Sequence, residues 1–117
     1  MKTFKDLIVW QKAHELVLQV YKITAKFPDD EKFGLIPQIR RASFSVPANI
    51  VEGFKRRNNN EFKQFINIAS ASLEELKYFF VLSLDLKYIE KTEYQNLFNL
   101  SEDIAKMLFS LHKKLAS

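Results

Sequence analysis

Apolar residues recur every three or four positions along nearly the whole chain, and the breaks in that rhythm divide it into four segments. Leu7, Trp10, Ala13, Leu16, Val17, Val20, Tyr21, Thr24 and Phe27 share one face of a helix predicted over about 6–27, with Asp6 as its N-cap. Pro28 ends it, because the residue before a proline avoids the helical region. A second helix begins at Asp29-Asp30-Glu31, where negative charge suits a helix start, and continues to Phe54 or Arg57. Gly34 and Pro37 disturb its first turns. Asn58-Asn59-Asn60 reads as a loop, and Asn58 with Glu61, or Asn60 alone, caps a third helix over about 61–86. Phe62, Phe65, Ile66, Ala69, Leu73, Leu76, Phe80 and Ser83 stripe that helix, and Ile68, Phe79 and Leu82 widen the stripe. Thr92 with Gln95 forms a capping box for a fourth helix over about 93–115, whose Leu97, Leu100, Ile104, Leu108, Leu111 and Leu115 repeat as a bundle seam does.

Only two Gly and three Pro interrupt these patterns, and no strand-like alternation occurs. Short connections set successive helices antiparallel. The expected architecture is all-α: one domain over 1–117, folded as an antiparallel up-down-up-down four-helix bundle of helices about 30 Å long.

The second segment differs from the others. On a wheel zeroed at Ile39, the residues Ala42, Ser43, Val46, Ile50, Gly53 and Phe54 form a core face. Phe44, Pro47 and Val51 make a second, apolar side. Gln38, Arg41, Ser45, Ala48, Asn49, Glu52 and Arg56 make a third, polar side without the usual Lys/Glu mixture of a wet helix. Pro47 removes a backbone bond to Ser43 and is expected to bend the helix. A helix apolar on two sides must be covered on two sides, so Phe44 and Val51 point to a subunit contact. The polar side has two open readings: a hydrogen-bonded network of Arg41, Ser45, Asn49, Glu52 and Arg56 at a binding or assembly surface, or polar joins between helices of one bundle with a Glu52–Arg56 pair in water.

Charge adds a direction. The net charge is +4, yet residues 1–59 carry 11 Lys/Arg against 6 Asp/Glu, whereas residues 60–117 carry 7 against 8. Arg40-Arg41 and Lys55-Arg56-Arg57, with Lys63 beyond the loop, are candidate contacts to a polyanion; the alternative is a solvated charged face. The absence of Cys excludes disulfides and Cys-based zinc sites. The start of the chain has no signal-peptide core, and no apolar run is long enough for a membrane span, so the expected location is the cytoplasm, with no membrane partner. No catalytic or metal constellation is visible. His14 and His112 have no second ligand at coordinating spacing, Glu74-Glu75 and Glu102-Asp103 are adjacent and point apart, and no glycine-rich phosphate loop exists. No cofactor is expected. Phe62, Phe65, Phe79 and Phe80 read as core or interface in preference to a base-stacking platform, and Trp10 as an anchor of the core's end.

Phe4, Asp6-Leu7, Val9-Trp10-Gln11-Lys12-Ala13, Phe27-Pro28, Glu31 and Phe33-Gly34-Leu35 resemble the N-terminal pattern of a known family. Gln38-Ile39-Arg40-Arg41-Ala42, Ser45-Val46-Pro47-Ala48-Asn49-Ile50 and Glu52-Gly53 resemble its central signature, and Ile68-Ala69, Ser72-Leu73 and Glu75-Leu76 its third-helix motif. This is the four-helix-bundle family encoded in intervening sequences of bacterial large-subunit ribosomal RNA, similar also to accessory proteins of diversity-generating retroelements. The resemblance implies a homopentameric ring, a basic surface that contacts nucleic acid, and no enzymatic activity. Ala71 stands where the family usually has Gly, which affects only the closeness of a backbone contact there. The expected function is a non-enzymatic homo-oligomer that associates with RNA or DNA; the alternative is a scaffold that binds a protein partner.

Overall fold

The computed structural model describes residues 3–115. Four helices account for most of them: α1 Ile8–Thr24, α2 Leu35–Phe54, α3 Asn59–Asp85 and α4 Lys91–Lys114, with no strand among the described residues. They pack into an elongated body of 46 × 24 × 21 Å. Contacts fix the sense of neighbouring helices. Ser45 meets Ser72, while Gly53, two turns on, sits against Phe62 and Phe65, so α2 and α3 run in opposite directions. Lys77 pairs with Glu102, and Ile66 and Asn67 lie near His112, which opposes α3 and α4. Leu7–Val9 border Leu111 and Lys114, and Ile23 and Lys26 border Glu93, which opposes α1 and α4. These registers have the sense expected of an up-down-up-down bundle.

The core follows the three-to-four rhythm. Ala13, Leu16 and Val20 of α1, Ile39, Val46 and Ile50 of α2, Ile66, Ala69, Leu73, Leu76 and Phe80 of α3, and Leu97, Ile104 and Leu108 of α4 are buried. Four hydroxyls lie inside with them, and each returns a hydrogen bond to its own helix: Thr24 to the carbonyl of Val20, Ser43 to Arg40, Ser83 to Phe79, Ser101 to Leu97. No buried side-chain N or O among the described residues lacks a partner, so the interior offers no polar atom to a ligand. Pro47 is buried inside a continuous α2, not on the apolar flank the wheel gave it.

Element boundaries depart from the sequence pattern where capping chemistry decides them. Thr3, not Asp6, caps the chain's first turn: Asp6 is the reciprocal partner in a capping box over a 3-10 turn, Phe4–Asp6, and α1 starts only at Ile8. The acidic run Asp29–Glu31 forms a separate 3-10 turn, and α2 starts at Leu35. Glu31 closes that gap. Its carboxylate accepts from the Leu35 backbone N–H at 3.0 Å and from the Tyr88 hydroxyl at 2.8 Å, and both bonds hold its pKa below the ordinary value. Asn58 caps α3 through the Glu61 N–H, as expected, so the helix starts at Asn59. α4 is capped by Glu90 with Glu93, two residues ahead of the Thr92–Gln95 pair, directly after buried Ile89. Ile68, expected to widen the core stripe of α3, is 48% exposed.

Candidate nucleic-acid interface

α2 carries most of the residues singled out from sequence, and its three sides have different fates. Ile39, Ala42, Ser43, Val46, Ile50 and Gly53 are buried. Gly53 is required by close approach: a Cβ there would come within 2.9 Å of Phe65 Cβ on α3. On the apolar side Phe44 is 45% exposed and Val51 half-buried.

The polar side divides into two independent groups. Ser45 and Ser72 hydroxyls lie 2.8 Å apart across the α2–α3 seam, and the Asn49 amide donates to the Ser45 carbonyl at 2.8 Å and hydroxyl at 3.0 Å. One turn on, the Arg56 guanidinium pairs with Glu52 at 3.3 Å and lies over the Phe65 ring at 4.7 Å. Arg41 joins neither group among the described contacts. Both elements of the plainer alternative are thus present: a helix-to-helix join and a charge pair at the surface. Ser72 was not anticipated as a member, since only the antiparallel register reveals that it faces Ser45.

The six candidate phosphate contacts are not equivalent. Arg40 is committed inward: its Nε donates to Thr24 Oγ1 at 2.8 Å, and its guanidinium lies 4.4 Å from the centre of the Tyr21 ring. Arg56 has the partners just described. Arg41, Lys55 and Arg57 are exposed, Lys63 is half-buried, and none of these four forms an ion pair among the described residues. Arg41 stands fourteen residues from Lys55 along α2, about 21 Å at helical rise, so the two clusters are separate surfaces.

Topology adds cations that a linear count missed. α4 ends beside the start of α1, and the α2–α3 turn occupies the same end of the bundle, where the Phe54 and Phe62 rings meet at 6.4 Å. Exposed Lys5, Lys55, Arg57, Lys113 and Lys114 therefore share one end of the molecule, where they outnumber the acids Asp6, Glu52 and Glu61. The opposite end mixes Lys26, Lys32, Lys87 and Lys91 with Asp29, Asp30, Asp85 and Glu90. The near-neutral charge of the second half of the sequence conceals this, because its acids other than Glu61 lie away from the end that holds its last lysines.

Ionisable groups displaced from their ordinary values sit in two structural clusters, not in a cleft suited to chemistry. Lys77 ties α3 to α4, bonding Glu102 at 2.6 Å and Glu74 at 3.0 Å; Glu102, then the other contacts, raise its pKa, and Lys77 in turn lowers that of Glu102. At the other end Glu31 raises the pKa of Tyr88. Among the described residues no group of three His, Cys, Asp or Glu side chains is placed to hold a metal, and no helix is long and apolar enough to cross a membrane. Phe80 is fully buried and Phe62, Phe65 and Phe79 half-buried, so that stripe serves packing. Trp10 lies between Phe4, edge-on at 5.0 Å, and His14, stacked at 5.0 Å.

Comparison with known proteins agrees with this architecture. The crystal structure of a protein with unknown function from the S23 ribosomal protein family of Bacteroides thetaiotaomicron VPI-5482 superposes with a TM-score of 0.81 at 28% identity, covering 91% of this chain and 99% of that one. No curated protein matches the chain. The family model described as 23S rRNA-intervening sequence protein matches residues 5–110, and the chain belongs to that family.

Proposed function

We propose that this protein is a non-enzymatic, oligomeric, nucleic-acid-associated protein of the cytoplasm that meets phosphates with the basic end of its bundle. The observation that carries this reading is the gathering of Lys5, Lys55, Arg57, Lys113 and Lys114 from three distant parts of the chain at one end. Lys63 lies one turn into α3 from the same turn, and Arg41 offers a second, weaker contact higher on α2. Such cations neutralise phosphates without reading bases, so affinity is salt-sensitive and nearly sequence-independent. Assembly repeats the charge, and several weak contacts act together. Phe44 and Val51 on the outer side of α2 are the proposed subunit contact, and a ring of five follows from the family resemblance. Ser45, Asn49 and Glu52 hold α2 in the form that presents this surface.

The test is the native mass of the purified particle with its nucleic-acid content. The expected result is a mass several times the 13.8 kDa chain, with nuclease-sensitive absorbance at 260 nm retained at low salt. A monomer free of nucleic acid would overturn the proposal. A second reading, a protein-binding scaffold, draws on Phe33, which is 91% exposed. A protein partner that survives nuclease treatment in a pulldown would favour it.

A further inference from the structure

A groove of about 390 Å³ runs between α3 and α4, leading away from the α2–α3 turn. Ile66, Leu73 and Leu108 form its buried floor. Asn67 and Ser70 edge it on α3, and neither side chain makes a hydrogen bond among the described residues. Phe109 edges it on α4, and its ring is 71% exposed, far more than packing of an isolated bundle calls for.

The polar groups along α3 are arranged in a line. Lys63, Asn67 and Ser70 succeed one another at i, i+4 and i+7, so they lie on one face of α3, and Lys63 joins the groove to the basic turn. On α4, His112 lines the groove and Lys113 stands one turn after Phe109, whereas Lys106 borders the separate groove between α1 and α4. The acid at the far end, Glu74, shares Lys77 with Glu102, at 3.0 and 2.6 Å. A flat apolar ring with Lys113 one turn along its own helix and Lys63 on the facing helix, opposite an unengaged amide and hydroxyl, suits a flat ligand with polar edges and an anionic backbone. A purely apolar occupant would strand the Asn67 and Ser70 polar groups. The volume lies within the roughly 300–1,000 Å³ typical of small-ligand sites.

We propose that this groove receives one unpaired nucleobase of a single-stranded nucleic acid, stacked on Phe109 with its edge toward Asn67 and Ser70, and with flanking phosphates on Lys63 and Lys113. The inference rests on the reading of the protein as a nucleic-acid binder and narrows it from phosphate contact in general to single strands. A base held in a duplex cannot reach the ring, whereas an unstacked one can.

The test compares a labelled single-stranded oligonucleotide with a duplex of equal length by fluorescence anisotropy, using the full chain and its Phe109→Ala and Phe109→Trp variants. The exposed position leaves the fold intact under either change. Phe109→Ala weakens single-strand binding by on the order of tenfold and leaves duplex binding unchanged, since stacking on an aromatic contributes this much per base. Phe109→Trp retains the affinity, and its indole emission falls on binding, beyond any change from Trp10 in the parent protein. Salt-sensitive binding that ignores Phe109 and treats both oligonucleotides alike overturns the groove and leaves the phosphate reading standing. No binding of either overturns both. A loss of particle mass in Phe109→Ala shows that a second copy covers the groove, and overturns it as well.

Discussion

The close packing of Gly53 against α3 yields a quantitative test. Replacing Gly53 by Ala places a methyl group 2.7 Å from Phe62 Cδ1 and 2.9 Å from Phe65 Cβ. Carbon atoms settle about 3.5–4.0 Å apart. The Phe62 ring can rotate away, but Phe65 Cβ is fixed to the α3 backbone, so α2 and α3 must separate by roughly 0.6–1 Å at this end. Overpacking of this kind costs about 1–3 kcal/mol. Alanine returns up to about 1 kcal/mol through its greater helix propensity. With about 2 kcal/mol lost and about 1 returned, the net expectation is a loss of roughly 1 kcal/mol, read as a lower urea midpoint at unchanged slope and a fall in Tm of roughly 4 °C. A Gly53→Ala protein as stable as its parent would falsify the close approach, and with it the reason this glycine stands one residue before Phe54 and the basic turn.

Three further outcomes follow from local geometry. Lys87 has φ of 65° at the end of α3, where the Tyr88 N–H bonds the Ser83 carbonyl and the Lys87 N–H bonds the Leu84 carbonyl; Lys87→Gly should stabilise by about 0.5–1 kcal/mol in thermal unfolding. Glu31 and Glu102 have lowered pKa values, so their contribution is present above the ordinary carboxylate value of 4.5 and lost as pH falls through their folded values. Glu31→Gln should therefore flatten the acid limb of the stability profile, and an unchanged limb would count against the Tyr88–Glu31–Leu35 contacts. Phe44→Glu should reduce the native particle mass in light scattering without loss of helicity, and unchanged mass would exclude that side of α2 as a subunit contact.

The four helices were legible because burial enforces a period that any long amphipathic segment shows, and the core stripe of α3 from Ile66 to Ser83 follows it. Helix starts were less legible, because several side chains can cap and only tertiary anchoring selects among them. Glu90 acts in place of Thr92 because buried Ile89 precedes it, and Glu31 reaches across a 3-10 turn because Tyr88, distant in sequence, holds its other oxygen. Which of the candidate cations stay exposed was not legible. Adjacent Arg40 and Arg41 look alike in sequence, yet helical geometry turns Arg40 onto Thr24 and Tyr21 and leaves Arg41 exposed. Lys113 and Lys114 join the basic end only when the chain has doubled back, which no local window of sequence displays.

The central claim, that phosphates meet the basic end of the bundle, is tested most directly by the salt dependence of affinity for a single-stranded RNA. Each phosphate neutralised on a single strand contributes about −0.7 to the slope of log K against log salt. The account predicts a steep negative slope for the parent protein, shallower by about 1.4 in an Arg57→Ala, Lys113→Ala double variant with unchanged stability. Affinity that stays flat across salt, or a slope that the double variant leaves unaltered, would contradict it.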